Sequence, residues 1–173
     1  MLDVDTMLKE YFQNTDEAND KPLMRAASSV LKKLFHQKEI NAFIETHQYL
    51  EGLEFNDAVL EHFNFMFQVS SKDRARIPDQ RRVLIVANHP LGSLDGLALL
   101  KLVSEIRTDV KIVATTLLNC IDPLKGLFLS VDNLAKSAHH RDSMNQIIQA
   151  LESEQAVILF PTGEVSRLSP LGT

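Results

Sequence analysis

Two hydrophobic rhythms divide this chain. Up to about residue 70 apolar side chains recur every three or four positions, the period of helices with one buried face. Val4 to Phe12 forms the first such stretch and Asn14 to Asp20 a polar connection. Pro22 then stands where a first helical position tolerates proline, followed by Leu23, Ala27, Val30, Leu31 and Leu34. A third helix is predicted from about Glu39 to Leu50, stopped by Gly52. A fourth is predicted to begin near Asn56 or Asp57 and to carry Val59, Leu60, Phe63 and Phe67 on one face. Residues 71–81 are polar, contain Pro78 and read as a linker. Beyond them the rhythm changes to short apolar runs alternating with amphipathic stretches. Strands are predicted at 83–88, about 111–117 and 156–160, helices at about 94–106 and 142–152, and a short apolar segment at 127–131. Such alternation argues an α/β region with a mainly parallel sheet flanked by helices, onto which the N-terminal helices pack. The expected organisation is a helical region, 1–80, and an α/β region, 81–173.

The stretch Val83-Leu-Ile-Val-Ala-Asn88-His89-Pro90-Leu-Gly92-Ser93-Leu-Asp95-Gly96 marks the change. Val83 to Val86 read as a strand covered on both faces. The run breaks at Asn88-His89-Pro90, and helical spacing resumes at Leu94, Leu97 and Ala98. His89 is therefore expected at the C-terminal end of a strand, the edge where open α/β sheets bind ligands. Asp95 is expected in the first turn of the next helix, where a carboxylate could orient the imidazole and fix its tautomer. Taken alone, the pair has a plainer reading, a polar loop histidine and a helix-capping aspartate. A second stretch weighs against it. Ala156-Val-Ile-Leu-Phe160-Pro-Thr162-Gly163-Glu164-Val-Ser166-Arg167 repeats the design of an apolar strand followed by a break rich in polar groups.

Together the two stretches resemble the glycerolipid acyltransferase family, in particular its bacterial hemolysin-like, lyso-ornithine-lipid branch. That family carries an Asn-His-x-x-x-x-Asp block and, some seventy residues later, a Phe-Pro-Glu-Gly-Thr-type block. Here some seventy residues separate His89 from Phe160, and the resemblance covers roughly residues 55–171. Two departures are present. Five residues, Pro90 to Leu94, lie between His89 and Asp95, and Thr162 occupies the usual glutamate position, with Glu164 two residues on. Either Asp95 or Glu164 is then open as the carboxylate partner. The family's middle block, Gly-x-x-Phe-x-x-Arg, is matched only in part by Gly126-Leu-Phe128, and its arginine is missing, with Arg141 downstream. The resemblance implies a lipid-directed O-acyltransferase needing no cofactor and no metal. Its donor would be acyl-CoA or acyl-carrier protein and its acceptor a lyso-lipid hydroxyl. His89 and Asp95 would be catalytic, and Asn88, Gly92, Ser93, Gly163, Glu164, Ser166 and Arg167 would contact substrate.

The chemistry fits those residue types. An imidazole titrating near pH ~6.5 can take the hydroxyl proton at neutral pH, so the alcohol attacks the thioester directly. Amides around Gly92 and Ser93, at a helix start, would stabilise the oxyanion. Gly163, Ser166 and Arg167 would hold a phosphate or carboxylate of the acceptor, a task that suits the guanidinium fork. A serine hydrolase is disfavoured, because neither Ser93 nor Ser166 has glycines two positions to either side. The alternative from another class is a lipid- or partner-binding fragment without turnover.

Composition narrows the setting. At 173 residues, 45% hydrophobic and 24% charged, the chain is long enough for one substantial core. A net charge of −5 argues against nucleic acid as a partner. Cys120 is the single cysteine and reads as a small buried hydrophobe; no Cys/His cluster has zinc spacing. Met1-Leu-Asp-Val-Asp begins acidic, unlike a signal peptide, and the most apolar stretch, 83–100, is interrupted by Asn88, His89, Pro90 and Asp95. A cytoplasmic protein, peripheral on the inner face of the membrane, is expected. From Lys21 to Lys38 five lysines and arginines occur without an acidic residue, beside an apolar face. Such a helix either packs on the core or lies on an anionic lipid surface. Ser169-Pro-Leu-Gly-Thr173 follows the second block at once, which reads as a C-terminally truncated chain.

Overall fold

The computed structural model describes residues 37–88, 93–115, 118, 121–131 and 138–161. Five α-helices and four strands occur among them: α1 (Gln37–Thr46), α2 (Gly52–His62), α3 (Ser71–Arg74), β1 (Val83–Val86), α4 (Ser93–Ser104), β2 (Val110–Thr115), β3 (Phe128–Val131), α5 (Ala138–Glu152) and β4 (Ala156–Leu159). A 3-10 turn, Asp122–Leu127, leads into β3. The expected helices at 4–12 and 22–34 lie outside the described residues, as does Cys120.

The strands form one parallel sheet in the order β1-β4-β2-β3. The last strand in sequence inserts between the first two. Val83 pairs with Ala156 and Val86 with Leu159 on one side, while Val110 pairs with Ala156 and Ile112 with Ile158 on the other. β4 is therefore an interior strand, and Ala156, Val157 and Ile158 are fully buried. Successive residues point to opposite faces, so the sheet feeds two cores. Val110, Ile112, Ala156 and Ile158 pack with Ile44 of α1, Phe55 of α2 and Leu100 and Val103 of α4. On the other face Val113 and Val157 pack with Ile147 and Ala150 of α5. Each large aliphatic side chain removed from water contributes about 1.5–3 kcal/mol, so these two layers carry the fold.

At the edge where strands begin, Arg107 is buried. Its Nε and Nη2 donate to the two carboxylate oxygens of Asp109 at 2.7 and 2.8 Å. Its Nη1 donates to Arg81 O at 2.6 Å and Pro78 O at 3.3 Å, and Nη2 also donates to Glu154 O at 2.7 Å. Arg81 and Glu154 are left-handed, at φ 65° and 60°, and each lies two residues before a strand. One guanidinium thus ties the entries of β1, β2 and β4 together. The hydrogen bond from Arg107 holds the Asp109 carboxyl below its ordinary value, opposed by partial burial.

The α/β architecture with helices packed on a parallel sheet agrees with the sequence reading, but several local expectations change. Among the described residues β1 is an edge strand of four residues, and Leu84 and Val86 are 44% and 58% exposed, so it is not covered on both faces. A uniformly apolar run does not distinguish an edge from an interior strand; insertion of β4 decides it. The expected fourth helix begins four residues earlier, at Gly52, whose φ of +58° turns the chain out of α1. Asn56 is consequently a buried mid-helix residue rather than a cap. Phe67 lies beyond the C-terminus of α2. The predicted linker contains α3, capped by the Ser70 hydroxyl, which accepts from Asp73 N at 3.1 Å.

Candidate active site

The pairing of β1 with β4 brings the two sequence blocks together. Ala87 N–H donates to Leu159 O at 3.2 Å just beyond the two strands, so both blocks leave the sheet side by side at its C-terminal edge. Asn88 follows β1 and is exposed; Ser93 opens α4; Phe160 follows β4. Asp95 lies in the first turn of α4, half-buried, with its Oδ1 atom shielded from solvent. His89, Gly92, Gly163, Glu164, Ser166 and Arg167 lie outside the described residues. Arg141 is exposed on α5, the helix on the opposite face of the sheet from α4.

Asn88 and Asp95 border a cleft of about 300 Å³. One wall is α4, through Ala98, Leu99 and Leu102. The facing wall is Phe65 and Phe67, from the extended segment after α2, and Phe160 and Ala87 close the sheet side. The lining is apolar apart from Asn88 and Asp95, the composition of a site for a largely apolar molecule. Among the described residues no three His, Cys, Asp or Glu side chains are grouped closely enough to hold a metal ion.

Two polar contacts fix α4 against α2. Asn56 Nδ2 donates to Leu97 O at 3.1 Å, and Lys101 Nζ meets Asp57 Oδ2 at 2.7 Å. The first lies two residues from Asp95, the second one residue from Leu102. Sequence reasoning missed Phe65, Phe67 and Asn56 as parts of this region. Phe65 and Phe67 alternate with Met66 in an extended pattern, and that period-two signal was available; for Asn56 no sequence signal separated a cap from a buried amide.

The acyltransferase family model matches residues 17–170, most of the chain, and the chain belongs to that family. Lyso-glycine lipid O-acyltransferase of Bacteroides thetaiotaomicron is 29% identical over 168 residues, covering 96% of this chain and 59% of that protein. The lyso-glycine lipid O-acyltransferase of Phocaeicola vulgatus is 27% identical over 148 residues, covering 85% of this chain and 52% of that protein. The chain thus spans somewhat over half the length of the curated relatives it matches. No solved structure matches it. Both relatives agree in class with the acyltransferase resemblance of the two sequence blocks.

Proposed function

We propose that the protein transfers a fatty acyl group from the thioester of acyl-CoA or acyl-carrier protein to the hydroxyl of a lyso-lipid, with a lyso-glycine lipid or a similar lyso-aminolipid as acceptor. His89 accepts the hydroxyl proton as the alcohol oxygen attacks the thioester carbon. The tetrahedral intermediate collapses with cleavage of the C–S bond, and the imidazolium returns the proton to the departing thiolate. Asp95 orients the ring, and Asn88 with the Gly92–Ser93 amides hold the thioester oxygen. Gly163, Glu164, Ser166 and Arg167 take the acceptor's polar head, while the cleft between Phe65, Phe67 and α4 takes an acyl chain. The protein works on the cytoplasmic membrane face, with Lys21–Lys38 as an electrostatic contact.

The observation that supports this reading best is the exit of both blocks from hydrogen-bonded neighbours, β1 and β4, beside an apolar cleft bordered by Asp95. The experiment is transfer of labelled acyl from acyl-CoA or acyl-carrier protein to a panel of lyso-lipids. His89→Ala should abolish incorporation and Asp95→Asn should lower it less, since the base is still present. Wild-type incorporation by His89→Ala would refute the mechanism, and a silent Asp95→Asn beside a crippled Glu164→Gln would transfer the carboxylate role to Glu164. The same cleft also favours a second reading, lipid binding without turnover. Intact lipid binding with no thiol released from either donor would select it.

A further inference from the structure

Asn56 is the polar member of the buried residues of α2, beside Phe55 and Leu60, and its side chain is wholly shielded from water. Its Nδ2 donates to Leu97 O at 3.1 Å, while its Oδ1 finds no donor among the described residues. A buried acceptor without a donor opposes folding. Leucine, of similar volume, would leave nothing stranded here, because Leu97 O keeps the helical bond from the N–H of Lys101 within α4. Stability therefore does not account for an amide at this position. The next residue, Asp57, meets Lys101 Nζ at 2.7 Å, one turn along α4 from Leu97. Adjacent residues of α2 thus hold α4 at two points a turn apart. The outer contact is half-exposed and screened by water, which leaves the amide as the firmer of the two.

The position of that hold on α4 matters. Asp95, Ala98, Leu99 and Leu102 recur at three- and four-residue spacing and all border the cleft. Leu97 and Lys101 lie on a different face of the same helix. Packing of Leu100 and Val103 against Phe55 keeps α4 on the core, but apolar contact has no direction and tolerates small rotations. A hydrogen bond weakens steeply when its angle is lost. A helix with its side chains is roughly 10–12 Å across, so a rotation of about 10° about the axis moves a side-chain end by about 1 Å.

We propose that Asn56 is a positioning residue for the acyl-transfer site. Its bond to Leu97 O sets the rotation of α4, and with it the place of Asp95 and of the amides that open the helix. Phe65 and Phe67 follow α2 closely, so the helix that carries Asn56 also leads into the facing wall of the cleft. One helix then relates the two sides of the site to each other. The catalytic consequence rests on the acyl-transfer reading; the hold on α4 does not.

Asn56→Leu fills the space without the donor. In labelled-acyl transfer it should lower kcat about tenfold, less than the roughly hundredfold that a 1 Å misplacement can cost. It should lower kcat/KM by the same factor, because the lost interaction acts in the transition state and not in substrate binding. Asn56→Ala, which leaves a small gap instead, should give the same pattern, so the result does not depend on how leucine is seated. Ile147→Ala, in the core on the other face of the sheet, should lower stability more and leave kcat unchanged, which separates positioning from general loosening. A measurement without turnover accompanies these. The amide of Lys101, which bonds to Leu97 O, should exchange with solvent a few-fold to about tenfold faster in Asn56→Leu, the net worth of one hydrogen bond, while that of Ala150 in α5 should not change. A wild-type kcat in Asn56→Leu, a loss confined to KM, or a Lys101 amide that exchanges as in wild type would overturn the proposal. Faster exchange at Lys101 in a protein that transfers no acyl group to any lyso-lipid would refute the acyl-transfer reading and support the hold of Asn56 on α4.

Discussion

Arg107→Ala tests how much of the fold hangs on one side chain. The guanidinium is almost fully buried and donates to Asp109 and to three backbone carbonyls, Pro78, Arg81 and Glu154. Removing one partner of a buried charge pair costs about 3–5 kcal/mol when the other is left dry. Here the Asp109 side chain is 44% exposed and regains water, which moves the expectation to the lower end, about 3 kcal/mol. For a domain of this size that corresponds to a loss of roughly 6–12 °C in Tm. Arg107→Lys keeps the charge but not the fork, and should fall between. Urea titration of the three proteins measures the differences. The pH dependence has a definite sign. Asp109 titrates below its ordinary 3.8 because of Arg107, so its contribution is complete above that value and is lost as pH falls through the lowered one. The gap between wild type and Arg107→Ala should accordingly narrow in acid. An Arg107→Ala protein within about 0.5 kcal/mol of wild type at neutral pH would refute the clamp, since changes that small are typical of surface positions without a role.

Two further outcomes test the sheet order and the seating of α4. Ile158→Ala, in the fully buried interior strand, should cost about 2–5 kcal/mol by urea titration. Val86→Ala on the exposed side of β1 should stay within about 1 kcal/mol, and equal costs would contradict the placement of β4 between β1 and β2. Asn56→Leu removes the donor to Leu97 O but also a buried Oδ1 that finds no donor among the described residues, so stability should change by less than about 1 kcal/mol. If Asn56 acts by placing Asp95, Asn56→Leu should lower kcat about tenfold and do far less in an Asp95→Asn background; independent, multiplying losses would show that it does not act through Asp95.

The sequence made the class of fold legible because its signals are local. Four-residue apolar runs, a Pro/Gly break and resumed helical spacing need no partner to be read, and they placed β1, β2 and β4 to within two residues, whereas β3 was read only as a short apolar segment. What it left hidden is what other segments decide. Val83 to Val86 and Ala156 to Leu159 are equally apolar, yet one is an edge and the other the buried centre, because crossover connections and not composition set the order. Asn56 could equally open a helix or donate inside one, and Gly52 settled the matter by beginning α2 early. Arg107 went unremarked because its value depends on carbonyls from two distant turns, 78–81 and 154, that meet only after the sheet forms.

The two edges of the sheet carry separate duties, and the position of the cleft follows from that. The entry edge is fastened by Arg107, and the turns it binds are short and left-handed where they need to be. With the strand starts held, the exit edge can carry breaks and polar groups without having to stabilise anything. A parallel sheet supplies only a shallow rim there, which cannot by itself enclose an acyl chain. Depth comes from elsewhere: α2 docks on α4 through Phe55, Asn56 and the Asp57–Lys101 pair, and this carries the following segment, with Phe65 and Phe67, across from Leu99 and Leu102. The second wall of the cleft thus belongs to the helical part of the chain. A fragment beginning at residue 81 would keep Asp95 and lose that wall, along with the Phe55 packing that covers Leu100 and Val103. The segment that follows the helices before the sheet therefore lines the cleft together with α4.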